Sequence, residues 1–384
     1  LYKFFLVKLE YFFILIIMSK KNYKRNDPRI GKTLWDDLHN ANLKTFKQDL
    51  KDIYDFYLDN RARQQLRKKG RVRRFFILSW WILKSLFFKL TPVRRILLVI
   101  SIFLSFQSTQ IDISDEQVIN FNFNIIGFLL ILIILLLELK DKLLARNELA
   151  VGRAVQSALM PDKSPEISGW DIWLYSSPAN EIGGDIIDYI NYDGTTWAFA
   201  LGDVAGKGLG AALIAAKLQA TLRAVGPLSD SLQRIVTETN KILYRDGIPE
   251  RFVSLIYLHL QPDSNTIKFI NAGHLPPVHI QNHRLKETTI ANQALGLSEK
   301  GVFHQDSLKV NSGDCFFIYS DGLIETQNDR EEFFGREKLF KVLSDTAPGS
   351  AQEMGKTVIS AVEKFKGENR YRDDISLIIL KRTI

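Results

Sequence analysis

Hydrophobic residues follow three different patterns along the chain. Before residue 60 they are scattered among charges, between residues 75 and 137 they form long runs, and beyond residue 170 they occur in short β-branched and aromatic stretches separated by Gly, Asn and Asp. Long apolar runs are typical of membrane helices, whereas short runs bounded by turn residues are typical of strands. The pattern therefore predicts a membrane region followed by a domain rich in strands.

The long runs differ in charge and in length. Residues 75–90 contain two lysines and two adjacent tryptophans, a composition that favours a helix lying at the membrane interface. Two further runs predict transmembrane helices over 94–111 and 118–138. An acidic loop separates them and basic residues flank their outer ends, so both termini are predicted to face the cytosol. The alternative is a hairpin buried in a soluble domain.

These patterns divide the chain into four parts. They are an N-terminal cytosolic segment over 1–70, a membrane region over 71–139, a linker or signalling helix over 140–162 and a folded domain over 163–384. Within the first part, Met18 is followed by a serine and two lysines and resembles a true start. Residues 1–17 are therefore interpreted as an alternative-start product or a mistranslated leader.

The linker segment carries a heptad pattern. Leu137, Leu144, Val151 and Ala158 are seven residues apart, which is the spacing of one core position in a coiled coil. Either a parallel coiled coil joins two copies of the chain as a homodimer here, or a single helix packs on the next domain. Pro161 ends the predicted helix in both cases.

The short runs beyond residue 170 predict strands in groups, with helices bunched between them. The predicted strands cover 170–175, 186–190, 197–201, 252–260, 266–271, 277–280, 302–310, 315–320 and 375–380, and the predicted helices cover 209–225, 232–244, 336–344 and 351–365. This order favours an α+β domain of mostly antiparallel sheets faced by helices over a parallel βαβ series.

Charge and cysteine content narrow the range of partners and compartments. The formal net charge is +8, and much of the basic excess precedes residue 96, with a dense basic run over 61–74. Next to apolar segments, such a run favours a flank facing anionic lipid over a nucleic-acid-binding patch. We therefore expect a lipid bilayer and no nucleic acid among the partners. The single cysteine, Cys315, excludes an internal disulfide and indicates a buried thiol in a reducing compartment.

Aspartates recur beside the predicted strand ends of the C-terminal half. The motifs that contain them are Gly-Gly-Asp-Ile-Ile-Asp at 183–188, Gly-Asp-Val-Ala-Gly-Lys-Gly at 202–208, Ser-Asp-Gly at 320–322 and Asp-Asp at 373–374. Each motif alone is well explained as a turn. Together, turns at one sheet rim would gather carboxylates that repel one another unless they are protonated or neutralised by a multivalent cation. Oxygen ligands favour Mg²⁺ or Mn²⁺ over zinc, and two such ions can activate a water for attack on a phosphoryl group.

The motifs, taken in order, resemble the PPM family of type 2C metal-dependent protein phosphatases, and specifically its bacterial SpoIIE-like or RsbU-like branch. The resemblance runs from about residue 154 to residue 380. Besides the aspartate motifs, it rests on Ala-Leu-Met-Pro at 158–161, Pro-Ala-Asn-Glu-Ile at 178–182, Asn-Ala-Gly-His-Leu-Pro-Pro at 271–277, Leu-Gly-Leu at 295–297 and Ile-Ser-Leu at 375–377. The fold implied is a four-layer α-β-β-α sandwich, here preceded by a transmembrane helical hairpin.

The resemblance also implies a role for each aspartate. Asp203 would bridge two metal ions, Asp185 and the backbone carbonyl of Val204 would complete one, and Asp321 and Asp373 would hold the other. These four aspartates would be the catalytic residues. Two further carboxylates would lie next to the ligands, namely Asp188 and Asp374.

Some positions depart from the family pattern. Aromatic residues often follow the first aspartate in the family, where this chain has Ile186 and Ile187, and Ser376 stands where Thr is usual. Eukaryotic members commonly carry a histidine, proposed as a general acid, where this chain has Ala205. The first two departures bear on the fit of the substrate, and the last leaves the proposed general acid missing.

The resemblance implies a protein serine/threonine phosphatase that hydrolyses phosphoserine or phosphothreonine on a regulatory protein of the anti-sigma-factor antagonist type. It would use two ions of Mn²⁺ or Mg²⁺ and would lie at a bacterial cytoplasmic membrane, with its catalytic domain facing the cytosol. The alternative is a catalytically silent, membrane-bound signalling module of the same fold that acts by partner binding. The presence of all four aspartates argues against that alternative.

Two single motifs have an alternative functional interpretation. The segment 202–208 superficially resembles a phosphate-binding P-loop, but it is one residue short and lacks the Ser or Thr that would hold Mg²⁺. His274 is a candidate catalytic acid, yet the strand-to-turn context before two prolines favours an imidazole that satisfies backbone groups.

Overall fold

The computed structural model describes residues 70–114, 117–180, 182–247, 251–282, 284–288, 292–346 and 349–384. The predicted N-terminal cytosolic segment and most of the basic run lie outside the described residues. The chain divides into an N-terminal unit that ends at Glu138 and a C-terminal unit that runs from Leu139 to Ile384.

The N-terminal unit contains helices and a two-stranded antiparallel sheet. Its elements are α1 (Arg71–Lys89), α2 (Pro92–Ser105), β1 (Ser108–Ser114), β2 (Gln117–Asn122) and the first part of α3 (Asn124–Leu159). The α2 helix and the start of α3 contact each other through small residues, since Ser101 and Gly127 are both buried. An ion pair of 2.6 Å joins Arg94 to Glu138.

The predicted pair of transmembrane helices is not supported. Residues 118–122, expected at the start of the second span, belong to strand β2 and pair with β1. Polar and apolar residues alternate only over the last four positions, 119–122, which is too short a strand pattern to stand out from the apolar run that follows. The uncharged part of α3 then ends at Leu137, before Glu138, Lys140 and Asp141. Among the described residues, no helix combines the length and the apolar character needed to cross a membrane.

The predicted linker helix over 140–162 is not a separate element. It is the C-terminal part of α3, which continues without interruption to Leu159. The heptad residues Leu144 and Val151 are more than half exposed. The homodimer through this segment stays a prediction.

Two five-stranded antiparallel sheets form the C-terminal unit, with strand orders β10-β7-β6-β5-β4 and β3-β12-β11-β8-β9. The strands are β3 (Trp170–Ser177), β4 (Ile186–Asn191), β5 (Trp197–Val204), β6 (Val253–Leu260), β7 (Thr266–Ala272), β8 (Val278–Gln281), β9 (Arg284–Glu287), β10 (Asp306–Lys309), β11 (Cys315–Tyr319) and β12 (Ile375–Arg382). The helices are α4 (Leu209–Val225), α5 (Leu232–Asp246), α6 (Asp321–Glu325), α7 (Gly335–Asp345) and α8 (Ala351–Lys366).

The central strands β5 and β6 are mostly apolar because both of their faces are covered. On β5 and β6, Phe199 and Leu258 belong to the core between the two sheets. Their neighbours Ala200 and Tyr257 pack instead with α4 and α5 on the outer face of the first sheet. Helices α7 and α8 cover the second sheet in the same way. The predicted α-β-β-α arrangement of two antiparallel sheets is confirmed.

Candidate active site

The predicted aspartates lie at one end of the two sheets. Asp185 precedes β4 and Asp203 is near the end of β5, and the register pairs Ile186 with Gly202. On the other sheet, Asp321 follows β11 and the pair Asp373 and Asp374 precedes β12. Because antiparallel neighbours bring the end of one strand beside the start of the next, each sheet contributes its carboxylates at the same rim.

Asp374 joins the two sheets at this rim. Its carboxylate accepts hydrogen bonds from the backbone N–H of Ala179 at 2.8 Å and of Gly184 at 2.6 Å. The side chain is buried, and its own backbone carbonyl accepts from the Ser320 hydroxyl at 3.1 Å. Asp374 therefore positions the loop that carries Asp185. The more exposed neighbour, Asp373, keeps its carboxylate available to a cation.

The carboxylates are close enough to repel one another. Burial, Asp321 and Asp373 raise the pKa of Asp203 to about 7. Burial and Asp373 raise the pKa of Asp321 to about 6. Burial raises the pKa of Asp185 well above its usual value, and repulsion from Asp203 and Asp374 raises it further. A rim with these properties attracts positive charge.

Two observations at this rim fit a divalent cation. The Oδ2 atom of Asp185 is buried and has no hydrogen-bond partner among the residues that the structure describes, which is costly for a carboxylate unless a proton or a cation satisfies it. A Cβ atom added to Gly184 would lie 3.3 Å from the carbonyl oxygen of Val204 and 3.5 Å from Oδ1 of Asp203. The glycine therefore leaves space beside two of the predicted ligand atoms. The residues present fit the metal site that the family resemblance implies.

The ligand sphere itself is not assembled. Across the described residues, no three His, Cys, Asp or Glu side chains converge as they would around a bound ion. Instead, Lys207 supplies the positive charge on one side of the rim. Its ammonium donates to Oδ2 of Asp373 and to the carbonyl of Arg372, both at 2.7 Å.

The loop between β5 and α4 is tethered to the residues that precede β6. The N–H of Ala205 donates to the Phe252 carbonyl at 2.9 Å, and Arg251 donates to the Ala205 carbonyl at 3.1 Å. Gly206 has a φ of +106°, and a Cβ atom there would collide with the Arg251 guanidinium. These contacts explain why the motif needs glycine after Ala205. Since the lysine of this loop faces Asp373, nothing in its contacts supports a nucleotide-binding P-loop.

Asp188 has a different neighbourhood from the other predicted site residues. It is buried on β4 opposite Ala200, and Arg223 of α4 holds its carboxylate through two hydrogen bonds of 2.8 Å. The contact joins helix α4 to the first sheet. These contacts give Asp188 a structural role and do not support its predicted place next to the metal ligands.

His274 is fixed through its main chain. Its backbone N–H donates to the Asn271 side chain at 2.8 Å, and the Asn271 amide donates back to the His274 backbone carbonyl at 3.1 Å. These bonds do not involve the imidazole, so its predicted role in satisfying backbone groups stays a prediction. Nδ1 lies 2.8 Å from the hydroxyl of Ser254. Burial lowers the pKa of His274 to about 4, so the imidazole is neutral near pH 7.

Sequence reasoning missed several residues that position this rim. Gln156 of α3 clamps the Gly183 peptide, donating to its carbonyl at 2.8 Å and accepting from its N–H at 3.1 Å. Ser320 also accepts from the N–H of Ser376 at 2.9 Å. A polar residue on a helix and a serine before an aspartate are too common to signal these roles. Lys207 belongs to the glycine motif at 202–208, but a lysine in a glycine-rich loop does not by itself reveal a contact with Asp373.

Comparisons with known proteins agree with this geometry. The family model described as stage II sporulation protein E (SpoIIE) matches residues 193–383. This part of the chain is a SpoIIE-type domain of the PPM phosphatase family. The prediction of a phosphoprotein phosphatase is thereby confirmed at the level of the enzyme class.

Relatives of the SpoIIE-type domain support the same assignment. Phosphoserine phosphatase RsbU of Bacillus subtilis is 24% identical over 241 residues, which cover 62% of this chain and 71% of that protein. Protein IcfG of Synechocystis is 26% identical over 277 residues, but the match spans only 43% of its length. Among solved structures, the SiaA-PP2C domain of Pseudomonas aeruginosa aligns with a TM-score of 0.56 at 18% identity, over 63% of this chain and 98% of that domain. That similarity shows the fold.

Proposed function

We propose that the SpoIIE-type domain hydrolyses phosphoserine or phosphothreonine on a regulatory protein, with two divalent ions, Mn²⁺ or Mg²⁺, bound at the aspartate rim. The observation that carries this proposal is the gathering of mutually repelling carboxylates from both sheets at one rim. Such a cluster is most stable around multivalent cations. When bound, two ions supply an activated water and neutralise charge on the phosphoryl group.

Each residue of the rim has a proposed task. Asp185, the carbonyl of Val204 and one side of Asp203 would hold the first ion, and Asp203, Asp321 and Asp373 would hold the second. Supporting residues keep these oxygens in place. Among them, Asp374 holds the loop before β4 by two backbone hydrogen bonds.

The substrate is proposed from the relatives and from the family resemblance. RsbU is named a phosphoserine phosphatase, and the resemblance implies a phosphorylated regulator of the anti-sigma-factor antagonist type. A site at an open rim suits a phosphorylated side chain on a folded protein, because the surface around it remains free to contact that protein. Location at a bacterial cytoplasmic membrane, with the catalytic domain facing the cytosol, stays a prediction.

The test uses the full chain with Mn²⁺ and a phosphoserine peptide. Asp203→Asn should abolish phosphate release and the binding of Mn²⁺ seen by calorimetry. The matched control is Asp263→Asn in the turn between β6 and β7, which follows the end of β6 that pairs with Trp197, away from Asp203. The control should release phosphate like the original chain.

The outcomes separate the enzyme from the silent signalling module. If the chain binds Mn²⁺ but releases no phosphate from phosphoserine peptides, phosphothreonine peptides or an aryl phosphate, the module is favoured. If Asp203→Asn binds Mn²⁺ as tightly as the original chain, the ligand assignment is wrong.

A further inference from the structure

The helical hairpin of the N-terminal unit presents an apolar outer surface. The hairpin consists of α2 and residues 124–138 of α3. Phe103 is 62% exposed and Phe128 is 64% exposed, and Val99, Ile125 and Leu135 are also more than half exposed. A helix on the surface of a water-soluble protein turns one apolar stripe inward and its polar face outward. This hairpin does not follow that rule.

The inner side of the hairpin is built from small and polar residues. Ser101 is fully buried and its hydroxyl donates to the Leu98 carbonyl at 2.8 Å. The hydroxyl of Ser105 donates to the Ser101 carbonyl, also at 2.8 Å. A Cβ atom on Gly127 would lie 2.6 Å from that same carbonyl, so the two helices approach closely at the glycine. Small residues inside and large apolar residues outside are typical of helix pairs surrounded by lipid.

The charge on α1 and at the start of α2 complements an anionic surface. Between residues 70 and 111 the chain has seven Lys or Arg residues and no Asp or Glu. On α1, the exposed side chains of Phe76 and Trp80 lie among these basic residues, two of which are Arg73 and Lys84. Tryptophan and basic residues beside apolar surface favour the head-group layer of a membrane.

We propose that the N-terminal unit binds an anionic phospholipid bilayer, with the outer surface of the hairpin in contact with acyl chains and the basic residues of α1 against head groups. This contact does not require either helix to cross the bilayer. Within the described part of the chain, the two-stranded sheet of β1 and β2 has an unpaired edge on each strand, and hydrocarbon cannot satisfy such edges. The sheet therefore belongs in the polar layer.

The test is flotation of the full chain with vesicles in a density gradient. The chain should float with phosphatidylcholine vesicles that contain phosphatidylglycerol, and less with phosphatidylcholine alone. Phe103→Glu combined with Phe128→Glu should abolish flotation and leave phosphate release unchanged. The matched control is Leu213→Glu, since Leu213 is 62% exposed on α4, and it should float like the original chain. Arg73→Gln and Lys84→Gln should each lower partitioning onto anionic vesicles about fivefold.

A second measurement guards against misfolding of the charged variant. The natural thiol of Cys315 is buried, so a polarity-sensitive dye can be attached at Phe103→Cys or, as the control, at Leu213→Cys. Vesicles should shift the emission of the first label to the blue and leave the second unchanged. Failure of the chain to float, or equal flotation of the charged variant, would overturn the proposal. The surface would instead bind a second copy of the chain if the original chain is a dimer in vesicle-free buffer, the charged variant is a monomer there, and neither protein floats with vesicles.

Discussion

The ammonium of Lys207 lies 2.7 Å from Oδ2 of Asp373, one of the carboxylates that we propose to hold the second metal ion. The pair joins the loop after β5 to the residues before β12, and both side chains are more than a third exposed. An ion that binds at Asp373 must share this carboxylate with the ammonium or displace it. Lys207 is therefore an internal competitor for the metal.

Removing this competitor should tighten metal binding. We expect Lys207→Gln to increase the affinity for Mn²⁺ by up to about fivefold, because an exposed ion pair contributes at most about 1 kcal/mol. Calorimetric titration with Mn²⁺ measures the change. Lys217→Gln is the control, since Lys217 of α4 pairs with Asp246 at 3.0 Å. This variant should bind Mn²⁺ with the affinity of the original chain. Weaker binding by Lys207→Gln would show that the ammonium supports the site.

Space beside the predicted ligands should depend on Gly184. In Gly184→Ala the new methyl group would lie 3.3 Å from the Val204 carbonyl oxygen, a contact that the neighbours can relieve by a small shift. We expect about fivefold weaker Mn²⁺ binding, since a shift of a few tenths of an ångström at a ligand costs on the order of 1 kcal/mol. Urea unfolding of the metal-free variant should change little. Unchanged Mn²⁺ affinity would place the ion away from Val204.

The role of Asp188 is testable through its partner. Arg223→Met leaves a buried carboxylate without its counter-ion, which should lower the free energy of unfolding by about 2 kcal/mol. Urea denaturation at neutral pH measures the loss. Arg245→Met is the control, because Arg245 pairs with Asp246 at the surface, and its free energy of unfolding should stay close to that of the original chain. If Arg223→Met alters Mn²⁺ affinity more than it alters stability, Asp188 acts on the metal site after all.

His259 should make the stability of the domain depend on pH. Burial and Lys268 lower its pKa from 6.5 to about 4, and its ring lies edge-on to Tyr192 and Tyr257. Between these two values the unfolded chain binds a proton that the folded chain does not, so stability falls as the pH drops from 6.5 towards 4. The loss attributable to His259 is about 3 kcal/mol, since each pKa unit corresponds to about 1.4 kcal/mol. In His259→Gln the slope of unfolding free energy against pH over this window should flatten, and an unchanged slope would contradict the assignment.

Strands covered on both faces were the easiest elements to predict. β5 and β6 are mostly apolar in the sequence, because the second sheet covers one face and α4 and α5 cover the other. The short edge strand β9 was missed, since its residues Arg284–Glu287 are mostly polar and half exposed. A buried strand is recognisable because its residues are apolar. An edge strand at the surface is little buried, so its residue types do not distinguish it from a loop.

The transmembrane helical hairpin predicted from the apolar runs is not supported, because no described helix is long and apolar enough to cross a membrane. The apolar content of residues 118–138 outweighed the short strand pattern within Gln117–Asn122, which forms β2. Pairing with β1 decided that segment, because a strand needs a partner for its backbone groups that no local pattern reveals.

The sequence by itself determined that a set of aspartates resembling those of a phosphatase lies at strand ends, because glycine turns and apolar strand interiors are local properties. Tertiary structure alone decided what each carboxylate contacts. Asp374 accepts a hydrogen bond from the N–H of Gly184, which is 190 positions away. Asp188 pairs with Arg223. Asp373 pairs with Lys207. The physical reason is that local sequence sets backbone preference and burial, whereas charge partners are chosen by packing two sheets and their helices together.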